Sequence, residues 1–272
     1  MKKDFLQIIV EDKKHEIASA KQRLPERLLR EKALITQKRR SFLKKLIQPG
    51  PSGVNIIAEI KRASPSKGII CPDLNPVTYA VEYEKGGAEA LSVLTDGPHF
   101  MGSIHDLKSA RESTTIPVLR KDFLISSYQI FESAVIGADA LLLIARILDP
   151  KQLKDYLDIC SELHIDALVE IHSEKDLEKA TLAGAKLIGI NNRNLRSFET
   201  DLDTAIRLKS LLEPDQVAVA ASGISSRKEI DKMNYSGIWN FLIGESLVRA
   251  ENPRDFLKSL LGGDSSENTR RT

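Results

Sequence analysis

From Asn55 onward one unit recurs along this chain: a short apolar run, a polar loop, then an amphipathic stretch with helical spacing. No other feature limits the fold as much. Runs of strand length, rich in aliphatic and β-branched residues, cover 56–61, 90–94, 117–121, 140–144, 167–171, 187–191, 216–220 and 241–243. Between them, helices are predicted over 77–85, 127–136, 150–164, 174–183, 204–211, 227–233 and 253–261. Several of these end on glycine followed by alanine (Gly86-Gly87-Ala88, Gly137-Ala138, Gly184-Ala185), the mark of a left-handed residue that closes a helix just before a strand. Such alternation predicts the α/β class, as a (β/α)8 TIM barrel. An open, doubly wound sheet is the rival, and the Gly-x-Gly-x-x-Gly turn it would carry after its first strand is missing.

The flanks read differently. Residues 4–47 are helical and charged, with Pro25 separating a first helix from a second that runs through Leu28, Leu29, Leu34, Phe42 and Leu46. Pro49-Gly50-Pro51-Ser52-Gly53 is a break. The expected organisation is therefore an N-terminal helical extension over 1–48, a barrel domain over 49–261, and a disordered tail over 262–272. The basic run from Gln37 to Lys45 resembles a nucleic-acid patch. With acidic neighbours and a net charge of only +2, it reads instead as a solvated helix face. Two cysteines, Cys71 and Cys160, support neither a disulfide framework nor a metal cluster and fit a reducing cytoplasm. No apolar run approaches the roughly 20 residues of a membrane span, and the N-terminus lacks a leader pattern.

A barrel carries its chemistry where strands run into the loops that follow them. Glu59 and Lys61 stand two apart at the end of the first strand and so face one way. Charges so placed on a buried run need partners or a wet mouth. The third strand ends in Lys121, the fifth carries Glu170, and Asn191 and Arg193 share a face after the sixth. Each alone could be a structural ion pair. Together they suit proton transfer on an anionic substrate. Ala220-Ala221-Ser222-Gly223-Ile224 and Ile243-Gly244-Glu245-Ser246 follow strands seven and eight, where barrels commonly hold phosphate on exposed backbone N–H groups. The histidines have no metal-ligand spacing; His172 reads as a wall residue on the Glu170 face, and Cys160 as core.

These residues sit in motifs that resemble the indole-3-glycerol phosphate synthase family. The motifs are Ala58-Glu59-Ile60-Lys61-Arg62-Ala63-Ser64-Pro65-Ser66, Leu91-Ser92-Val93-Leu94-Thr95-Asp96 with Phe100-Met101-Gly102-Ser103, and Leu119-Arg120-Lys121-Asp122-Phe123. Leu168-Val169-Glu170-Ile171-His172, Gly189-Ile190-Asn191-Asn192-Arg193-Asn194-Leu195, Ser222-Gly223-Ile224 and Leu242-Ile243-Gly244-Glu245-Ser246-Leu247 complete the set. The resemblance implies a barrel with its N-terminal extension over the mouth. It also implies conversion of 1-(2-carboxyphenylamino)-1-deoxyribulose 5-phosphate to indole-3-glycerol phosphate, with loss of carbon dioxide and water, in tryptophan biosynthesis. By the same resemblance Lys121 is the acid that protonates the developing alkoxide, and Lys61 binds the substrate carboxylate and is a candidate acid for the dehydration. Glu170 is a general base or stabilises the cationic ring intermediate, and Glu59 holds the lysines. Asn191 and Arg193 bind hydroxyl and carboxyl groups. Ser64, Ser222, Gly223, Gly244 and Glu245 (through its backbone) surround the phosphate, while Phe100 and Phe123 wall the aromatic ring.

No metal or organic cofactor is needed, because decarboxylation restores aromaticity. The implied partner is a small phosphorylated substrate, with no nucleic acid and no membrane, for a cytoplasmic monomer; association with other enzymes of the pathway is left open. One position departs from the family pattern. Ala221 stands where the family usually has glutamate. The alternatives are therefore a catalytically weakened barrel that binds the phosphate ligand and, more remotely, a phosphosugar isomerase on the same fold.

Overall fold

The computed structural model describes residues 5–35, 38–194 and 198–263. Eight parallel strands close into a barrel: β1 (Asn55–Ile60), β2 (Ala90–Leu94), β3 (Val118–Lys121), β4 (Ala140–Ile144), β5 (Asp166–Ile171), β6 (Leu187–Asn191), β7 (Val217–Ala221) and β8 (Asn240–Ile243). Sequence neighbours pair in order, and β1 closes the ring, with Ala58 opposite Leu91 of β2 and Ile243 of β8. Helices connect the strands, as the periodicity predicts. The connection after β2 also holds Gly97–Phe100 and Ile104–Glu112, which the hydrophobic pattern does not signal. Ile104–Glu112 buries only Asp106, Leu107 and Ala110, too few apolar positions to register as a stripe. Its Asp106 is inside because it holds the guanidinium of Arg62, with N–O distances of 2.7 and 3.0 Å.

Alternation along the strands decides what reaches the barrel axis. Ile57, Leu119, Leu142, Leu168, Leu187, Val219 and Leu242 form the inner core, and Ile56, Ala58, Leu91, Val118, Leu141, Val169 and Ile188 face the helices. One step of two beyond Ile57, Leu119, Leu168 and Val219 come Glu59, Lys121, Glu170 and Ala221. Parity alone thus places the charged residues above the inner core at one end.

The N-terminal segment serves both ends of the barrel. α1 (Phe5–Arg23) contributes Phe5, Leu6 and Ile9 to the cavity at the C-terminal mouth. α2 (Glu26–Ala33) packs on the helix Ser127–Val135. α3 (Phe42–Leu46) puts Phe42 and Leu46, both fully buried, against the inner core at the opposite end, beside Ala90 and Ala140 at the strand starts. The helix expected from Leu28 through Leu46 is therefore two helices, and the basic run divides: Lys38, Lys44 and Lys45 are exposed, as a solvated face requires, whereas Arg39 and Arg40 turn in to the barrel. Arg39 donates to the carbonyls of Ala134, Ala138 and Leu163, and Arg40 to those of Arg111 and Ile116. Several of these carbonyls lie at helix ends, where the intrahelical ladder leaves acceptor capacity, and a guanidinium supplies several donors at once. The expected disordered tail lies outside the described residues from 264 onward.

Candidate active site

The mouth of the barrel encloses a cavity of about 500 Å³ lined by residues from every strand end and from α1. Glu59, Lys61, Lys121, Glu170, Asn191 and Arg193 all line it, as do Ser64, Phe100, Phe123, Ser222, Gly223, Gly244 and Glu245. The predicted residues thus converge on one space. Lys61 lies just past the end of β1 rather than within it, yet its Nζ reaches Glu59 Oε1 at 2.6 Å. Across the cavity Lys121 Nζ lies 3.5 Å from Glu170 Oε2. Asn191 Nδ2 donates to Glu170 Oε1 at 3.2 Å, while the Arg193 N–H donates to Asn191 Oδ1 at 3.0 Å. The second bond fixes the amide so that its NH2 group faces the carboxylate.

Both carboxylates are almost fully buried, Glu59 at 5% exposure and Glu170 at 4%. Burial by itself would depress the pKa of Lys121, but the nearby Glu170 and Glu59 carboxylates outweigh it and hold the ammonium above its ordinary range. Burial would likewise raise Glu170, and the charge of Lys121, with His172 and the Asn191 hydrogen bond, keeps that carboxyl below its ordinary range. The site therefore holds an ammonium and a carboxylate in contact, both ionised at neutral pH.

His172, expected as a wall residue, does not line this cavity. Its Nε2 is 3.7 Å from Glu170 Oε1, and neither ring nitrogen has a hydrogen-bond partner among the described residues. Burial pushes its pKa down, against the pull of Glu170 and Asp176. Cys160, by contrast, is a buried core thiol whose pKa burial drives up.

The opposite side of the cavity is built from backbone. Ser222 and Gly223 both have positive φ, 70° and 78°. For serine that conformation is uncommon, and such strain gathers at ligand-binding turns. A β-carbon on Gly223 would collide with Thr200, and one on Gly244 with the Glu59 carboxylate, so both positions admit only glycine without a shift. The helix Glu245–Arg249 begins at Gly244 with no side chain capping its first N–H groups. Around it stand cations: Lys67 Nζ is 3.6 Å and Arg193 Nη2 3.8 Å from the Glu245 carboxylate, and Arg249 Nε is 3.3 Å from it. An anion could meet free N–H groups and three basic side chains here.

Sequence reasoning missed several lining residues. Ser66 accepts from Arg193 Nη1 at 2.6 Å and so ties the loop after β1 to the loop after β6. Phe5, Leu6 and Ile9 of α1, with Phe198, add apolar wall around the Phe100–Phe123 pair, whose ring centroids are 6.0 Å apart. Their helical spacing signals a buried face but not the surface it covers.

A closed parallel barrel with an ion-paired acid–base cluster and glycine turns at its C-terminal mouth defines a (β/α)8-barrel enzyme class that works at the strand ends. Comparison with known proteins narrows this. The family model for indole-3-glycerol phosphate synthase matches residues 6–260. A relative named indole-3-glycerol phosphate synthase, from Desulfosudis oleivorans, is 55% identical over 95% of this chain and 98% of its own length. A protein of the same name from Syntrophobacter fumaroxidans is 51% identical with the same coverages. The chain belongs to the indole-3-glycerol phosphate synthase family, a family of carboxy-lyases. Among solved structures, a thiamine phosphate pyrophosphorylase from Pyrococcus furiosus superposes with a TM-score of 0.56 at 16% identity, covering 77% of this chain and 94% of that one. An N-acetylmannosamine-6-phosphate 2-epimerase from Clostridium perfringens gives a TM-score of 0.57 at 13% identity, covering 78% and 93%. At those identities the likeness is one of fold. No helix among the described residues is long and apolar enough to cross a membrane.

Proposed function

We propose that this barrel, domain 49–261 with the extension 1–48, forms indole-3-glycerol phosphate from 1-(2-carboxyphenylamino)-1-deoxyribulose 5-phosphate as a cytoplasmic monomer. The aryl carbon bearing the carboxylate attacks the ketone carbon, and a carbon–carbon bond forms. Lys121 gives a proton to the alkoxide oxygen that develops. The bond to the carboxylate then breaks, its electron pair returns to the ring, and carbon dioxide leaves. Loss of the hydroxyl with a proton, as water, completes the indole. Glu170 stabilises the cationic ring intermediate and takes the proton lost in that last step.

Lys61 holds the substrate carboxylate until it departs and then supplies the proton to the leaving hydroxyl, with Glu59 keeping its ammonium in place. Asn191 and Arg193 orient the hydroxyl and carboxyl groups. Phe100 and Phe123 bracket the aryl ring beside Ser64, and the Ser222-Gly223 turn with the Gly244-Glu245 backbone takes the phosphate.

The observation that carries this reading is the Lys121–Glu170 pair, 3.5 Å apart and facing the same cavity as Glu59–Lys61. A half-buried acid in contact with a buried base suits a reaction that must both give and take a proton. The test is formation of indole fluorescence by the purified protein, beside Lys121→Ala. Loss of the general acid should lower kcat by about 10²–10⁴ while circular dichroism stays native. Normal turnover in that variant would refute the assignment.

A further inference from the structure

Lys13 lies one helical turn beyond Ile9 on the buried side of α1 and is itself only 1% exposed. Its Nζ is 2.9 Å from Asp122 Oδ1, 3.0 Å from Asp96 Oδ2 and 2.8 Å from Glu16 Oε2. A lysine costs too much to bury without such partners. The two aspartates belong to the barrel. Asp96 follows β2, and Asp122 is the residue directly after Lys121.

The barrel holds both aspartates without help from α1. Asp122 Oδ2 accepts from Thr95 Oγ1 at 2.5 Å and from Arg120 Nη2 at 3.2 Å, and its Oδ1 accepts from the Phe123 N–H at 2.8 Å. Asp96 Oδ1 accepts from the His99 N–H at 2.8 Å, which leaves Oδ2 buried, without a hydrogen-bond donor among the described residues, and 3.0 Å from the Lys13 ammonium. Arg120 balances one of these carboxylates, with Glu132 beside it at the margin. The second negative charge is left for α1 to neutralise. The carboxylates are thus a prebuilt socket, and Lys13 is the piece that enters it.

We propose that Lys13 is a positioning residue for the substrate cavity: the Asp96–Asp122 pair captures its ammonium and holds α1, with Phe5, Leu6 and Ile9, closed over the mouth. The kinetic side of this proposal rests on the cavity being the substrate site described under the proposed function. Burial opposes the charge on Lys13, and the Asp122, Glu16 and Asp96 carboxylates overcome it, so the ammonium persists throughout the neutral range.

The test uses the full chain with Lys13→Met, Asp96→Asn and the double variant, read by hydrogen exchange across residues 5–23 and by steady-state kinetics. Lys13→Met should speed exchange in α1 by roughly a hundredfold, as expected when one partner of a buried ion pair is lost. It should raise KM about tenfold while kcat stays within about threefold. Asp96→Asn keeps the acceptor for the His99 N–H and should fall between native and Lys13→Met. The double variant leaves Arg120 and Asp122 balanced, so it should regain thermal stability without regaining the native KM. A purely structural lysine would recover both. Native exchange and KM in Lys13→Met would overturn the proposal; if that variant does not fold, the same result in Asp96→Asn would do so. Failure of the native protein to form the indole would refute the functional reading instead, and exchange in α1 would still judge the latch.

Discussion

Glu170→Gln removes one charge from the site and leaves its shape. In the native protein the carboxylate lies 3.5 Å from Lys121 Nζ and accepts from Asn191 Nδ2 at 3.2 Å. Opposite charges 3.5 Å apart attract by about 5 kcal/mol at an effective dielectric near 20. Desolvation of both groups offsets part of that, and Lys121, with 19% of its side chain exposed, is partly screened by water. What remains is enough to matter for chemistry. The variant loses its proton acceptor and at the same time leaves the Lys121 ammonium with only the weaker pull of Glu59 and Asp122 among the carboxylates that held it charged.

We expect kcat to fall by about 10²–10⁴ with KM within about threefold of native. The alkaline limb of the residual activity should move to lower pH, because a charge that holds the Lys121 pKa up has gone. Stopped-flow indole fluorescence over a pH series measures both. A kcat within about threefold of native, or a loss confined to KM, would show that Glu170 acts in ground-state binding. Loss of folding would mark it as structural.

Other consequences follow from the same geometry. Ala221 ends β7 on the inward phase and lines the cavity, so Ala221→Glu should leave kcat at or above the native value; a clear drop would show that the site has readjusted around the methyl group. Phe42→Ala should cost about 3–5 kcal/mol in denaturant unfolding by opening a cavity at the barrel end opposite the mouth, without changing KM of the folded enzyme; a loss under about 1 kcal/mol would refute that packing role. Glu170 and Asp122 are both held below their ordinary 4.5 and 3.8, against burial, by Lys121 and by Arg120 with Lys13 respectively. A depressed folded pKa adds stability that is complete above the unfolded value and vanishes as pH falls through the folded one. The thermal midpoint should therefore fall steeply as pH drops below about 4.5, and a midpoint flat from about pH 5 to pH 3 would contradict these shifts.

The fold and most of the candidate site could be read before any coordinates, for a local reason. A strand has a period of two, so Glu59, Lys121, Glu170 and Asn191 at the ends of apolar runs had to share the inward phase with Ile57, Leu119, Leu168 and Leu187. Eight such runs separated by helices leave few closures besides a barrel. Their order along the chain then fixes which ends meet. The glycines after β7 and β8 were visible for the same reason, since a turn that brings backbone N–H groups to a ligand tolerates little else.

Other features depend on distances that no local pattern encodes. Arg39 and Arg40 looked solvated because their neighbours in sequence are polar; their neighbours in space are backbone carbonyls near helix ends and strand starts from three different connections. Ile104–Glu112 escaped notice because its buried face is partly a carboxylate, and that carboxylate makes sense only beside Arg62, 44 residues earlier. Lys13 reads in sequence as one more charge on a polar helix. Only closure of the barrel, which brings Asp96 and Asp122 together beneath α1, turns it into a buried cation. Sequence by itself determined which side chains point inward and at which end of the barrel they gather, because phase and order are properties of the backbone. Tertiary structure alone decided which charges are paired, which are buried and what covers the mouth, because those depend on segments distant in the chain arriving within a few ångströms of one another.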